Sequence, residues 1–247
     1  MRYFIELSYS GTNFHGWQSQ ANALGIQEVL EEKLSMILKE KTAVTASGRT
    51  DTGVHAKQQI AHFDTSAELT EDLLFRINCM LPHDIAINSF RPVNPDCHAR
   101  FDALYREYEY YITTIKDPFA RGRAWQFTKK LDFDAMNEAA GLLLKYSDFE
   151  SFSKVHTDVK TFNCTVMYAQ WERQAEHMIL FRIRANRFLR GMVRAIVGTL
   201  VDIGTGKKNV ADFEHILLSR NRGMAGAAAP PEGLFLAKIG FPQEVYL

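Results

Sequence analysis

Residues 48–56 read GRTDTGVHA and set one carboxylate, Asp51, two positions after Arg49 and two before Gly53. Asp-Thr-Gly is the tripeptide on which aspartic proteases present a catalytic acid, but that chemistry needs two carboxylates sharing one proton. The chain holds no second Asp-Thr/Ser-Gly, since Asp64-Thr65 is followed by Ser66. The residues just before Asp51 are polar, where a buried dyad strand would be apolar. An ordinary Asp-Gly turn is the plainer reading, with Gly48 and Gly53 supplying backbone freedom. Arg49 adds something a turn does not need: a nearby guanidinium favours the ionised carboxylate. An acid held charged at neutral pH serves as a nucleophile or general base rather than a proton donor.

Two further stretches carry residue types that suit a polyanionic substrate. In YREYEYYI, Arg106, Tyr108 and Tyr110 fall on one strand face, while Glu107 and Glu109 fall on the other. A core or sheet-surface tyrosine is the plain reading of Tyr108. The stretch FRIRANRFLRGMVR, residues 181–194, contains five arginines and no acid. Arg187, Arg190 and Arg194 have the spacing of one helical face, and Arg182 and Arg184 share a strand face that would extend the stripe. Metal ligands are not indicated. His55, His62, His83 and His98 are scattered, and Cys97-His98 cannot close a tetrahedral site unaided. The three cysteines, Cys79, Cys97 and Cys164, form no CxxC pair, which argues against a disulfide framework and for reduced thiols in the cytosol.

The elements that must position these groups follow from periodicity. RYFIELSY alternates as a half-buried strand, and GIQEVLEEKLSMILKE places Ile26, Val29, Leu30, Leu34, Ile37 and Leu38 on one helical stripe. A short strand enters the GRTDTG turn and QIAHFDT leaves it. Thr70 caps a second helix that Pro82 ends, and IAINSF and YREYEYYIT follow as strands. After the Gly/Pro/Arg connection KDPFARGRAW come a helix (DAMNEAAGLLLKY) and two strands (CTVMYAQWE, MILFRIRAN). A long helix is expected over FLRGMVRAIVGTLVDIG, from residue 188, then another capped by Asn209, and a closing strand, GLFLAKIGF.

This order fits an α+β fold of two lobes of mainly antiparallel sheet with helices on the outside and an active cleft between them. The expected division is 1–110 and 111–247. The net charge is zero, yet residues 1–110 hold ten Lys/Arg against fifteen Asp/Glu, and residues 111–247 hold nineteen against fourteen. A local basic stripe on a neutral chain still binds phosphate. The start lacks an apolar run of signal-peptide length, and no run approaches the roughly 20 residues of a membrane span. A cytoplasmic protein without a membrane anchor is the expectation.

GRTDTGVHA resembles the block that carries the catalytic aspartate of the tRNA pseudouridine synthase A family. The resemblance continues in order through YSGTNFHGWQSQ (9–20), HARFDALYREYEYYI (98–112), NRFLRGMVRAIVG (186–198) and PPEGLFL (230–236), nearly end to end. It implies the pseudouridine synthase fold and isomerisation of uridine to pseudouridine at positions 38 to 40 of the tRNA anticodon arm, with no cofactor and no metal. On this likeness Asp51 acts on the target nucleotide, and Arg49 pairs with it and fills space left by the displaced base. Tyr108 contacts that base and Arg194 reaches the cleft, while the other arginines approach phosphates. The family often has histidine where Gly191 stands, and basic residues where Glu107 and Glu109 stand. Extruding a stacked base costs a few kcal/mol, which aromatic stacking offsets. The likeness further implies a homodimer with tRNA as partner. The competing reading is a non-catalytic RNA-binding protein, for which strand tyrosines and an arginine stripe suffice.

Overall fold

The computed structural model describes residues 1–20, 22–155 and 159–247. By their contacts these fall into two compact units, Met1–Tyr105 with Phe235–Leu247, and Arg106–Leu234. A linear division at 110 would leave the last strand with the second half; by contacts, residues 235–247 group with the first unit. The class is α+β, with mostly antiparallel sheet and five α-helices among the described residues.

In the first unit β1 (Arg2–Tyr9) is the central strand. It pairs antiparallel with β3 (His55–Asp64) on one side and β4 (Ile85–Val93) on the other, and β2 (Thr45–Ala46) pairs with β3. Both ladders of β1 slip register beyond Glu6, so its last residues bend where the chain enters the motif that follows. Helix α1 (Ile26–Leu38) buries Ile26, Val29, Leu30 and Leu34, the stripe expected from its spacing. Helix α2 (Glu71–Met80) is capped by Thr70, whose hydroxyl accepts from the Leu73 amide at 3.3 Å, and it packs on α1 and β4. The closing strand β9 (Leu234–Gly240) runs parallel to the start of β3, with His55 opposite Phe235 and Ala56 opposite Leu236.

The second unit holds β5 (Tyr105–Thr113), β7 (Val166–Ala175) and β8 (Met178–Ala185), with β8 antiparallel to both others. The short β6 (Trp125–Gln126) runs parallel to the end of β5. Helix α3 (Phe133–Leu142) packs against β7, α4 (Met192–Gly204) and α5 (Val210–Ser219). Helix α4 is buried at almost every position, and Asn209 and Asp212 form a reciprocal capping box on α5.

One predicted boundary moves. The helix expected from residue 188 begins at Met192, because Gly191 adopts the left-handed region at φ 71° and serves as its N-cap. Of Arg187, Arg190 and Arg194, Arg194 alone lies on the helix, so the three do not share a helical face.

A buried histidine gives the first unit a pH signature. His62 accepts a hydrogen bond at Nδ1 from the Ala99 amide, 3.1 Å away, and its ring meets His98 edge-on at 4.6 Å. Burial, followed by the charges of His98 and Arg2, lowers its pKa from 6.5 to about 4. Unfolded chain therefore takes up a proton near 6.5 that the folded form refuses until about 4. Stability from neutral His62 is fully present above pH 6.5 and is lost as pH falls towards 4. Asparagine at this position keeps an acceptor for Ala99 and removes the titration. Melting temperatures of wild type and His62→Asn should converge as pH drops through this window; parallel curves would refute the assignment.

Candidate active site

The GRTDTG segment leaves β2 and returns as β3, and each end is fastened from within. The Ser47 amide donates to the Ile60 carbonyl at 2.8 Å. Buried Gln59 accepts from the Ser47 hydroxyl at 2.8 Å and donates to the Gly48 carbonyl at 2.9 Å. Thr50 is buried, its hydroxyl 2.8 Å from that of Tyr9 at the end of β1. Burial raises the Tyr9 pKa, against the pull of its hydrogen bonds with Thr50 and Gln59, so the phenol stays neutral. With Thr50 turned into the core, Arg49 is exposed and Asp51 half-buried, reachable by a solute. A turn closes beyond them, the Val54 amide donating to the Asp51 carbonyl at 3.1 Å, with Gly53 at φ 76°.

The second fastening comes from residues 11–17, part of the YSGTNFHGWQSQ block. The Trp17 amide donates to the Thr50 carbonyl at 3.1 Å, and the Gly53 amide donates to the Phe14 carbonyl at 3.3 Å. Two glycines make this approach possible. A Cβ on Gly11 would lie 2.0 Å from the Val54 carbonyl oxygen, and one on Gly16 would lie 2.5 Å from that of Thr50. Gly16 also sits at φ 87°. Gly48, by contrast, has open space where its Cβ would be and no positive φ. Unlike Gly53, it makes no use of a glycine's backbone freedom.

In the second unit Tyr108 lies on β5 opposite Ile183 and is buried. Phe188 meets its ring edge-on at 5.1 Å. Arg106, on the same strand face, donates to the Asn186 carbonyl at 3.0 Å and holds the start of the NRFLRGMVR segment. Arg194 is half-buried in the first turn of α4. Its Nε donates to the Ala229 carbonyl at 2.7 Å, and the Ala229 amide returns a bond to the Arg194 carbonyl at 2.9 Å. Its charge also reaches Tyr110. Burial and then Glu232 raise that phenol's pKa, and Arg194 opposes them.

The strand arginines are engaged differently from the expectation. Arg184 is the cross-strand neighbour of Glu107, and Arg182 that of Glu109. The Arg184 Nε donates to Glu107 at 2.7 Å, and Arg182 reaches Glu172 at 3.0 Å and Glu109 at 3.5 Å. Burial depresses the Arg182 pKa, but Glu172, Glu109 and Glu107 together raise it, leaving it above its ordinary value. Tyr111 donates to Glu109 at 2.6 Å. Arg182 and Arg184 therefore neutralise buried acids and do not extend a phosphate-binding stripe. No cluster of three metal-ligating side chains occurs among the described residues, and no described helix is long and apolar enough to cross a membrane.

Comparison with known proteins carries the chemistry further. The family model described as tRNA pseudouridine synthase matches residues 7–102 and 139–242, spanning both the Asp51 loop and the Arg194 helix. The chain belongs to the tRNA pseudouridine synthase family. A member from Bacteroides fragilis, named tRNA pseudouridine synthase A, is 50% identical over 99% of this chain and 98% of its own. Relatives of the same name from Porphyromonas gingivalis and Parabacteroides distasonis are 48% and 46% identical, covering 100% and 99% of this chain and 99% and 98% of theirs. Similarity to these relatives thus spans nearly the whole chain.

Proposed function

We propose that this protein isomerises uridine to pseudouridine in tRNA, at positions 38 to 40 of the anticodon arm, with Asp51 as the catalytic carboxylate. The single observation that carries the reading is full-length identity with relatives named tRNA pseudouridine synthase A. The Asp51 loop supports it: the carboxylate sits on an accessible loop whose backbone is tied at both ends, as pre-organised catalysis needs.

In the reaction the N1–C1′ bond of uridine breaks, the base turns while held, and C5 bonds to C1′. The hydrogen at C5 leaves as a proton and N1 gains one, so no oxidant, reductant or group donor enters the balance. Asp51 acts on the nucleotide, with Arg49 beside it holding the charge and filling the space of the extruded base. Tyr108 contacts the base, and Arg194, its Nε fixed on Ala229, offers its remaining donors to the substrate. A homodimer acting in the cytoplasm completes the reading.

The test is tritium release from tRNA labelled at C5 of uridine, with the modified positions mapped in the product. Release in proportion to pseudouridine formed in the anticodon arm supports the proposal. Tight tRNA binding without release would favour the RNA-binding reading.

A further inference from the structure

Residues 116–130, KDPFARGRAWQFTKK, take no part in the chemistry above. They hold five cations, Lys116, Arg121, Arg123, Lys129 and Lys130, against one acid, Asp117. All five cations are exposed, and among the described residues none has an ion-pair partner. This differs from Arg182 and Arg184, whose charge is cancelled by buried glutamates. Phe119 projects from the same segment, 91% exposed.

The tip is a built turn. Asp117 accepts from the Phe119 amide at 2.8 Å, and the Arg123 and Ala124 amides donate to the Ala120 carbonyl at 2.9 and 3.0 Å. Gly122 takes φ 72°, and Ala120 and Ala124 are buried beneath. Trp125 then pairs with Ile112 of β5, and its ring meets Phe127 edge-on at 4.9 Å. The single acid is thus spent on the turn, while the cations and the aromatic ring are held outward on an anchored scaffold.

An isolated exposed phenylalanine needs no explanation, and a charge run is usually a solvated face. Here an outward ring is set within unpartnered cations on a fixed turn, the combination that binds single-stranded nucleic acid through stacking and phosphate contact. A protein interface would instead centre on contiguous apolar surface depleted of charge. We propose that residues 116–130 form a second tRNA-contacting surface, the cations meeting backbone phosphates and Phe119 stacking on an unpaired base. The proposal rests on tRNA being the substrate. Ile112 lies four residues along β5 from Tyr108, about 13 Å at strand spacing. Within the second unit the segment is thus anchored apart from Tyr108.

The experiment compares tRNA binding at several salt concentrations by wild type, Phe119→Ala, and the triple variant Lys116→Gln, Arg121→Gln, Arg123→Gln. Expected are a drop in affinity of at least about fivefold for Phe119→Ala, from lost stacking, and a salt slope shallower by about two for the triple variant. The loss should appear in KM for tRNA, with single-turnover tritium release at saturating enzyme holding within about twofold. Melting temperatures should match wild type, because the altered side chains are exposed. Wild-type affinity and salt slope in both variants, beside a wild type that binds and isomerises tRNA, would overturn this inference and leave the functional reading standing. A changed mass by light scattering with unchanged tRNA affinity would assign the surface to a protein partner and equally overturn it. Wild type that binds tRNA without releasing tritium would instead sink the catalytic reading, while the variants' binding would still decide this one.

Discussion

Asp51→Asn is expected to bind tRNA with near wild-type affinity and to lose tritium release by at least about a thousandfold, within the range that removing an essential acid–base group produces. Asparagine keeps the shape of the side chain and also the backbone carbonyl that accepts from Val54. The turn survives, and with it the bonds that tie it to residues 11–17, from the Trp17 amide to the Thr50 carbonyl and from the Gly53 amide to the Phe14 carbonyl. What disappears is the negative charge. Asp51→Glu separates charge from placement: it restores the carboxylate but advances it by one methylene, and misplacement of about 1 Å costs on the order of a hundredfold. If Asp51 were a turn residue alone, asparagine would be the mildest of replacements, and both variants would retain activity. A half-buried, isosteric change should shift stability by under about 1 kcal/mol. Urea unfolding run beside the activity assay distinguishes a chemical loss from a folding loss.

Much of this architecture is legible from local chemistry. Thr70 and Asn209 cap helices because their side-chain oxygens satisfy amides within three residues, and that range fits inside any sequence window. The α1 stripe and the alternation of β1 likewise declare themselves by period. Features set by distant chain resist such reading. The apolar positions around 188–193 continue the α4 period, so nothing in the pattern announces that Gly191 turns left-handed and starts the helix late. Glu107 and Glu109 look like an obstacle to RNA until β5 and β8 are in register, when each faces an arginine more than seventy residues away. Pairing across strands brings those charges into one ladder, where the cost of burying each acid is offset by its partner. In the Asp51 region the carboxylate proposed to do the chemistry is visible by type. The residues that hold it are not, because Tyr9, Gln59, Gly11 and Gly16 act through backbone approach and buried hydrogen bonds.

The sharpest consequence of that approach concerns two glycines. Gly48 lies three residues from Asp51 and Gly16 lies thirty-five away, so sequence distance ranks Gly48 as the more dangerous to alter. The geometry reverses the order. Alanine at Gly48 meets nothing within 4 Å, and Gly48→Ala should leave activity and stability near wild type. Alanine at Gly16 must hold φ 87° and place its methyl 2.5 Å from the Thr50 carbonyl oxygen and 3.1 Å from the Asp51 carbonyl carbon. Backbone strain of that kind costs about 1–3 kcal/mol, and the clash is with main chain, so relief requires moving the segment that carries the carboxylate. The bond from Trp17 to Thr50, adjacent to the clash, is the one that would stretch. Displacement of the carboxylate by under an ångström is enough to expect tritium release reduced by about a hundredfold, while tRNA affinity is expected to be largely kept because the substitution removes no cation. Thermal melting should show a lowered but cooperative transition. If Gly16→Ala proved as active as Gly48→Ala, the loop would have to be free to reposition Asp51 without help from residues 11–17, and the pre-organisation argued from these contacts would fail.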